Sequence, residues 1–449
     1  MAATFQAGGL ASGLDTNTII DKLVQLQSRP LTLLQKRQAA AKTQISLLGD
    51  LTSKLSALKD AARALADNGV LGSKATSTNT AFSAVPDSNA VAGSYSVQVQ
   101  ALAQAAKARS QAFAAGELVQ GGTLALTVQG TAYSVTVNDG SALEDVAAAI
   151  RLSGAPVSAV VLDNGTSRYL SVTSRDTGYP LAGTPAGALS IVETTTGTTG
   201  KPLAAAVFQQ AQNAAFTVDG LPFIRQGNTV TGAVPGTTLT LRAQGGPAED
   251  LTQVYDPDAT RTKLQAFVDA YNAVIGLVQK QLAVTPDADR ESTLSGDPSI
   301  RSLQSQLQRV GATAVTGLVN VRTLTDLGVK TKRDGSLEID ATALAAAIGR
   351  DPGAVNAVFS NAADGISAQL GTLVDNFTRA GDGVLTSRSS SLGRKVKAMD
   401  DQAATLQARL DKYREALVAQ FAAMEKVVSG LKTSGDFLTQ QLNSLSNSK

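Results

Sequence analysis

Between Met399 and Leu445 apolar side chains recur at alternating steps of four and three: Met399, Ala403, Leu406, Leu410, Tyr413, Leu417, Met424, Val427, Leu431, Leu438 and Leu445. Gln420, Ser434 and Gln441 fill the three remaining positions. This spacing places one apolar stripe on one side of a helix, the pattern of a coiled-coil seam. As one helix the segment spans about 70 Å. The seam weakens toward its end, where the polar positions fall and where Gly430 and Gly435 each cost about 1 kcal/mol relative to Ala. Phe421, Val428, Phe437 and Leu442 lie one step off the stripe and offer a second partner surface.

The N-terminal segment has the same rhythm. Ile19, Leu23, Leu26, Pro30 and Leu33 form one run, and Leu48, Leu51, Leu55, Leu58, Ala62 and Leu65 form another, with a phase change expected near Gly49. Two amphipathic ends predict termini that pack together. Pro30 has no N–H to donate, so the first arm is expected in two pieces. Residues 1–14 are uncharged, and Asp436 and Lys449 are the only charges after Lys432. Such tips fold poorly alone and are expected to order on assembly.

The middle of the chain has another composition. Residues 76–250 carry 8 basic and 11 acidic residues, 19 charges in 175 positions, against 57 in the other 274, and this middle is Thr/Val/Gly-rich and alternates. Ser94–Val99, Thr123–Val128 and Tyr133–Val137 alternate as strands, with a turn at Gln129-Gly130. Ser141 and Glu144 form a capping signature before Val146–Ile150, and Gly154 closes that helix. Val157–Leu162 and Tyr169–Thr173 flank Asn164-Gly165 as a hairpin, which completes a ββαββ unit. Strands at 215–218, 229–230 and 237–241 follow, with turns at Asp219-Gly220 and Pro235-Gly236.

From about residue 258 the helical period returns. Leu264, Val268, Tyr271, Ile275, Val278 and Leu282 make one stripe, and Ile300, Leu303, Leu307, Val310 and Ala314 another. A hairpin at Asp334-Gly335 leads into a helix capped by Asp340, and Asp351-Pro352 starts one ending near Phe359. The fold class is therefore multidomain α+β: terminal coiled-coil legs, a helical bundle stalk and an inserted two-domain β-rich head. The expected division is 1–42 with 410–449 (leg), 43–75 with 251–409 (stalk), 76–108 with 205–250 (head) and 109–204 (outer head).

Familiar catalytic chemistry is largely missing. The chain has no His, Cys or Trp, which removes imidazole bases, thiol nucleophiles and thiolate or imidazole metal sites. Asp287-x-Asp289-x-Glu291 begins like a calcium loop, but Ser292 and Pro298 stand where a glycine and a glutamate are needed. Ser56-x-x-Lys59 has no hydrolase partner motif, and Gly8–Gly13 is followed by Leu14-Asp15 rather than the Lys-Ser/Thr of a phosphate loop. No enzyme, cofactor or metal is expected. A net charge of +2 and the solvated Lys330–Arg333 edge give no nucleic-acid surface. No secretory leader is legible at the N-terminus, and no apolar run is long enough for a membrane span.

Four blocks resemble the flagellar capping protein family, also called flagellar hook-associated protein 2. They are Gly9–Leu26 (GLASGLDTNTIIDKLVQL), Phe216–Leu241, Leu324–Phe359 and Tyr413–Leu442. Residues 120–175 are similar to a module of flagellin-like proteins, whereas 176–210 match no named block. The resemblance implies export through the flagellar type III apparatus with an export chaperone. It also implies a homo-oligomer of five copies at the distal filament tip, near hook–filament junction proteins, that retains flagellin and guides its insertion. Carried onto this chain, the docking seam is Ile19, Leu23, Leu26, Leu33, Leu410, Leu417, Met424, Val427, Leu431, Leu438 and Leu445. The alternative is an extracellular adhesin whose head binds host mucin or glycans.

Overall fold

The computed structural model describes residues 13–283 and 290–446, apart from the side chains of 290 and 444–446. The uncharged tip 1–12 and Asp287 and Asp289 of the acidic loop lie outside the described residues. The chain divides into two compact units, one from residues up to 64, 265–340 and 357 onward, the other from 65–264 and 341–356.

The first unit is mainly helical. Helix α1 (Thr16–Gln27) begins where Asp15 accepts the Thr18 N–H at 3.0 Å and its hydroxyl at 2.6 Å. Helix α2 (Arg29–Asn68) follows after one residue, so the break expected from Pro30 falls at Ser28. Leu48, Leu51, Leu55, Leu58 and Ala62 on α2 are all at most 1% exposed. The stripe runs straight through Gly49 without a phase change, and it extends backward through Ala41 and Leu34 to Ile20 at multiples of seven. In the part of this unit beyond the insert, Phe267 meets Phe359 edge to face at 5.2 Å.

Fifteen strands dominate the second unit. β1 (Ser73–Ser77), β2 (Phe82–Pro86), β3 (Gly93–Ala101) and β4 (Lys107–Arg109) come first. β5 (Gly122–Val128) and β6 (Thr131–Val137) join through Gln129 and Gly130, whose φ values of 50° and 80° fit the mirror-image turn that a twisted two-residue hairpin needs. Helix α3 (Leu143–Leu152) then leads to β7 (Val157–Asp163) and β8 (Arg168–Ser174). Its cap lies one residue later than expected. Asp145 accepts the Ala142 N–H at 3.3 Å, while Ser141 bonds back to Asn138 and Glu144 pairs with Arg168. The one-turn α4 (Pro185–Ala188) precedes β9 (Leu189–Thr195) and β10 (Ala206–Gln209). The remaining strands are β11 (Ala214–Val218), β12 (Leu221–Arg225), β13 (Thr229–Val234), β14 (Thr237–Leu241) and β15 (Glu249–Tyr255).

These strands build two cores. Sheets of order β1-β15-β3-β11-β12 and β13-β14-β2 enclose one, with Phe82, Phe216, Leu239 and Leu251 buried. Sheets of order β10-β4-β8-β7 and β6-β5-β9 enclose the other with α3. The two hairpins of the expected ββαββ unit thus enter different sheets. Residues 176–210, which match no named block, are structural: β9 pairs with β5 along its whole length and β10 with β4. Asp139 holds the loop after β9, accepting N–H groups from Gly121 at 2.9 Å, Thr198 at 3.1 Å and Thr199 at 3.0 Å.

The long helix α5 (Pro257–Leu282) and α6 (Pro298–Ala312) follow. Ala314 falls beyond the end of α6, and Val315 is the buried residue there. The hairpin β16 (Val329–Thr331) with β17 (Leu337–Ile339) precedes α7 (Ala341–Arg350), α8 (Pro352–Ser360) and α9 (Ile366–Thr378). The chain then enters α10 (Val384–Ser446), 63 residues and about 95 Å long.

Candidate functional site

The terminal helices α1 and α10 carry exposed large apolar side chains, among them Leu23, Leu26, Val427, Leu431, Phe437, Leu438 and Leu442. They run antiparallel. Arg414 on α10 meets Asp21 on α1 at 2.9 Å, and Gln38 on α2 bonds Asp400 further along the same pair. Both crossings are exposed, so they set register more than stability; an exposed ion pair such as Arg414–Asp21 contributes about 1 kcal/mol or less.

Burial shows which side chains form the intramolecular seam. Ile20 and Leu31 are 3% and 8% exposed on the N-terminal arm, and Leu410 and Leu417 are 7% and 8% exposed on α10. Val24, Leu34 and Met424 are half-buried. The predicted stripe Ile19, Leu23, Leu26 and Leu33 is one residue, about 100°, out of phase with this face. Ile19 is half-buried, while Leu23, Leu26 and Leu33 are exposed. Two four-three patterns overlap in this arm. The inward one is that which continues in phase through Ala41 into the buried Leu48, Leu55 and Ala62, because a helix pair can turn only one continuous face to its core. The sequence signal for Ile20 was this long-range phase, hidden by Pro30.

On α10 the heptad column Leu410, Leu417, Met424, Leu431, Leu438 is strict. It changes environment partway. Leu410 and Leu417 are covered, Met424 is half covered, and Leu431 and Leu438 are 68% and 61% exposed. Val427, Phe437 and Leu442 beside them are also open. The register explains the change. With Asp21 opposite Arg414, the first residue of α1 lies opposite about residue 419, so roughly 27 residues or ~40 Å of α10 run past it. Leu445 continues the column within the helix, its side chain outside the described ones.

The start of α1 is electrostatically tuned. The Thr18 hydroxyl and N–H hold the Asp15 carboxyl below its usual range, so a negative charge sits against the positive helix end. Among the described residues no group of three or more His, Cys, Asp or Glu could hold a metal ion, and no helix is long and apolar enough to cross a membrane. The arrangement leaves the aliphatic column of α10 open to solvent at Leu431 and Leu438.

Comparisons with known proteins agree on a family. Residues 12–106 match the family model described as the flagellar hook-associated protein 2 N-terminus, and residues 211–433 match the corresponding C-terminus model. The flagellar hook-associated protein 2 of Escherichia coli O157:H7 is 30% identical, with 100% of each chain covered. The A-type flagellar hook-associated protein 2 of Pseudomonas aeruginosa is 28% identical over 99% of this chain and 98% of its own. Among solved structures, the D1-D2-D3 domains of the flagellar cap protein FliD from Escherichia coli superpose with a TM-score of 0.64 at 28% identity, covering 77% of this chain and 99% of that one.

Proposed function

The chain belongs to the flagellar hook-associated protein 2 family, and from that membership we propose that it caps the flagellar filament, docking on the filament end through its terminal helices. The observation that carries the docking role is the heptad column that is covered at Leu417 and open at Leu431 and Leu438. Covering a Leu of this kind is worth about 1.5–3 kcal/mol. An uncovered pair therefore gives a strong but limited drive toward a helical partner, and flagellin at the filament end is the partner we propose. Gln420, Ser434, Gln441 and the two glycines keep that grip short of a permanent coiled coil, which suits an attachment that must release and rebind as each flagellin is added.

Copies of the chain form a closed ring, for which five is the number the family resemblance implies. The β-rich unit forms the plate beneath which flagellin is retained and folds. The chain reaches its place by flagellar type III export with a chaperone, close to the hook–filament junction proteins. Electron microscopy of cells lacking the chain tests the reading. They should carry bare hooks and shed flagellin monomers into the medium, whereas filaments of normal length would remove it.

A second reading has one observation in its favour. On the β10-β4-β8-β7 sheet Arg109 lies over the rings of Tyr169 and Phe208, at 4.9 and 5.5 Å from their centroids, and Phe208 is 58% exposed. An aromatic surface of this kind suits a mucin glycan. Saturable binding of mucin by the full chain, lost in Phe208→Ala, would support adhesion as an additional role.

A further inference from the structure

Two facing stretches of helix carry cations and no carboxylate. On α2, residues 29–49 contain Arg29, Lys36, Arg37 and Lys42; on α10, residues 384–399 contain Arg388, Arg394, Lys395 and Lys397; neither stretch contains Asp or Glu. Ala41, Val396 and Met399 share one buried cluster, so the stretches are packed side by side. All eight cationic side chains are exposed. Arg388 pairs with Asp297 at 2.9 Å, and among the described residues the other seven have no ion-pair partner. Like charges within a Debye length, about 8–10 Å at physiological salt, repel one another, so this belt disfavours the isolated chain and favours an anionic surface.

The belt also has a shape. Between the helices lies a cleft of about 680 Å³ with Arg37, Arg388 and Lys395 along it, the small Ala40 and Ala41 at its base, and Glu291 as its single carboxylate among the described residues. The chain itself carries the complementary charge. With the eight belt residues set apart, 31 Lys and Arg remain against 37 Asp and Glu, so the rest of the chain has a net charge of −6; of those carboxylates Asp297 reaches the belt at Arg388 and Asp400 at Gln38. The acidic side has its own groove. Glu249 and Asp250 line a cavity of about 550 Å³ with Thr76 and Thr78 at the β1–β15 edge. Residues 243–260 hold four carboxylates and no Lys or Arg.

We propose that the basic cleft of α2 and α10 receives the Glu249–Asp250 edge of a second copy of this chain. The two surfaces differ, so the contact is head to tail, the kind that closes into a ring when the rotation permits. Pairs at such a rim govern association rate and register more than total affinity. The inference rests on the oligomeric reading above and specifies where copies meet; it does not involve the open end of α10.

Sedimentation of the full-length chain tests it with two charge-reversed variants, Arg37→Glu with Lys395→Glu, and Glu249→Arg with Asp250→Arg. Asp250→Arg alone, on an exposed side chain, covers the case in which Glu249 is needed to hold Thr78, whose hydroxyl it accepts at 2.7 Å. The wild type should self-associate, about tenfold more weakly at high than at low salt. Each variant should keep its circular dichroism spectrum and stay monomeric, and an equimolar mixture of the two should associate again. Variants that associate like the wild type, or a mixture that stays monomeric, overturn the inference while leaving the oligomeric reading intact. A wild type that is monomeric at every salt concentration overturns both, and so does one that stays monomeric while its belt binds phosphatidylserine vesicles.

Discussion

Asp139 shows how much a single carboxylate can hold in a head with few charges. The N–H groups of Gly121, Thr198 and Thr199 that point at it keep its pKa at about 2, below the ordinary 3.8. A folded-state value below the unfolded one means that the stabilisation is complete above pH 3.8 and is lost as pH falls through about 2. Asp139→Asn should lower the melting midpoint of the β-rich unit by several degrees at neutral pH, and the gap to the wild type should close over that acid window. Thermal melts followed by circular dichroism between pH 2 and pH 5 check this, and a gap that stays constant with pH would show that the charge is not what matters. Gly197 belongs to the same arrangement, since a Cβ there would collide with the Asp139 carboxylate. Neither residue stood out in the sequence, because the three N–H groups come from two loops about sixty and eighteen positions away.

At the scale of elements, the sequence was most legible where a pattern is local. The hairpin turns at Gln129-Gly130, Asn164-Gly165 and Asp219-Gly220 and the buried stripe Leu48–Ala62 all stand where dipeptide chemistry and spacing place them. It was least legible where two patterns compete or where partners are distant. Ile20 and Ile19 both begin four-three runs, and only the phase of α2 beyond Pro30 decides between them. Likewise the ββαββ order says nothing about which sheet each hairpin joins, since β9 and β10 come from a segment with no recognisable motif. The docking column makes a sharp prediction at this scale. Leu417→Ala should destabilise the α1–α10 pair by about 2 kcal/mol or more, as for other buried leucines, whereas Leu431→Ala should stay within about 0.5 kcal/mol in the isolated chain. In the same way Ile20→Asp should unpair α1 and Leu26→Asp should not. Urea unfolding monitored on the helical signal separates these cases, and equal losses at Leu417 and Leu431 would mean that the column is covered throughout.

The whole molecule joins a sheet-rich insert, poor in charge, to long helices whose seam is only half used. The lack of His, Cys and Trp, which at first only narrows the chemistry, fits a protein that works by aliphatic packing and reversible attachment. We propose that the open half of the α10 column attaches the cap to the filament. Its most direct test is electron microscopy of a strain lacking this chain and supplied with either the wild type or Leu431→Asp with Leu438→Asp. The substituted residues are solvent-exposed in the isolated chain, so the variant should purify folded, with an unchanged melting midpoint. Cells supplied with the wild type should carry full-length filaments, and those supplied with the variant bare hooks with flagellin in the medium; normal filaments on cells producing the variant would show that the open column is not the attachment.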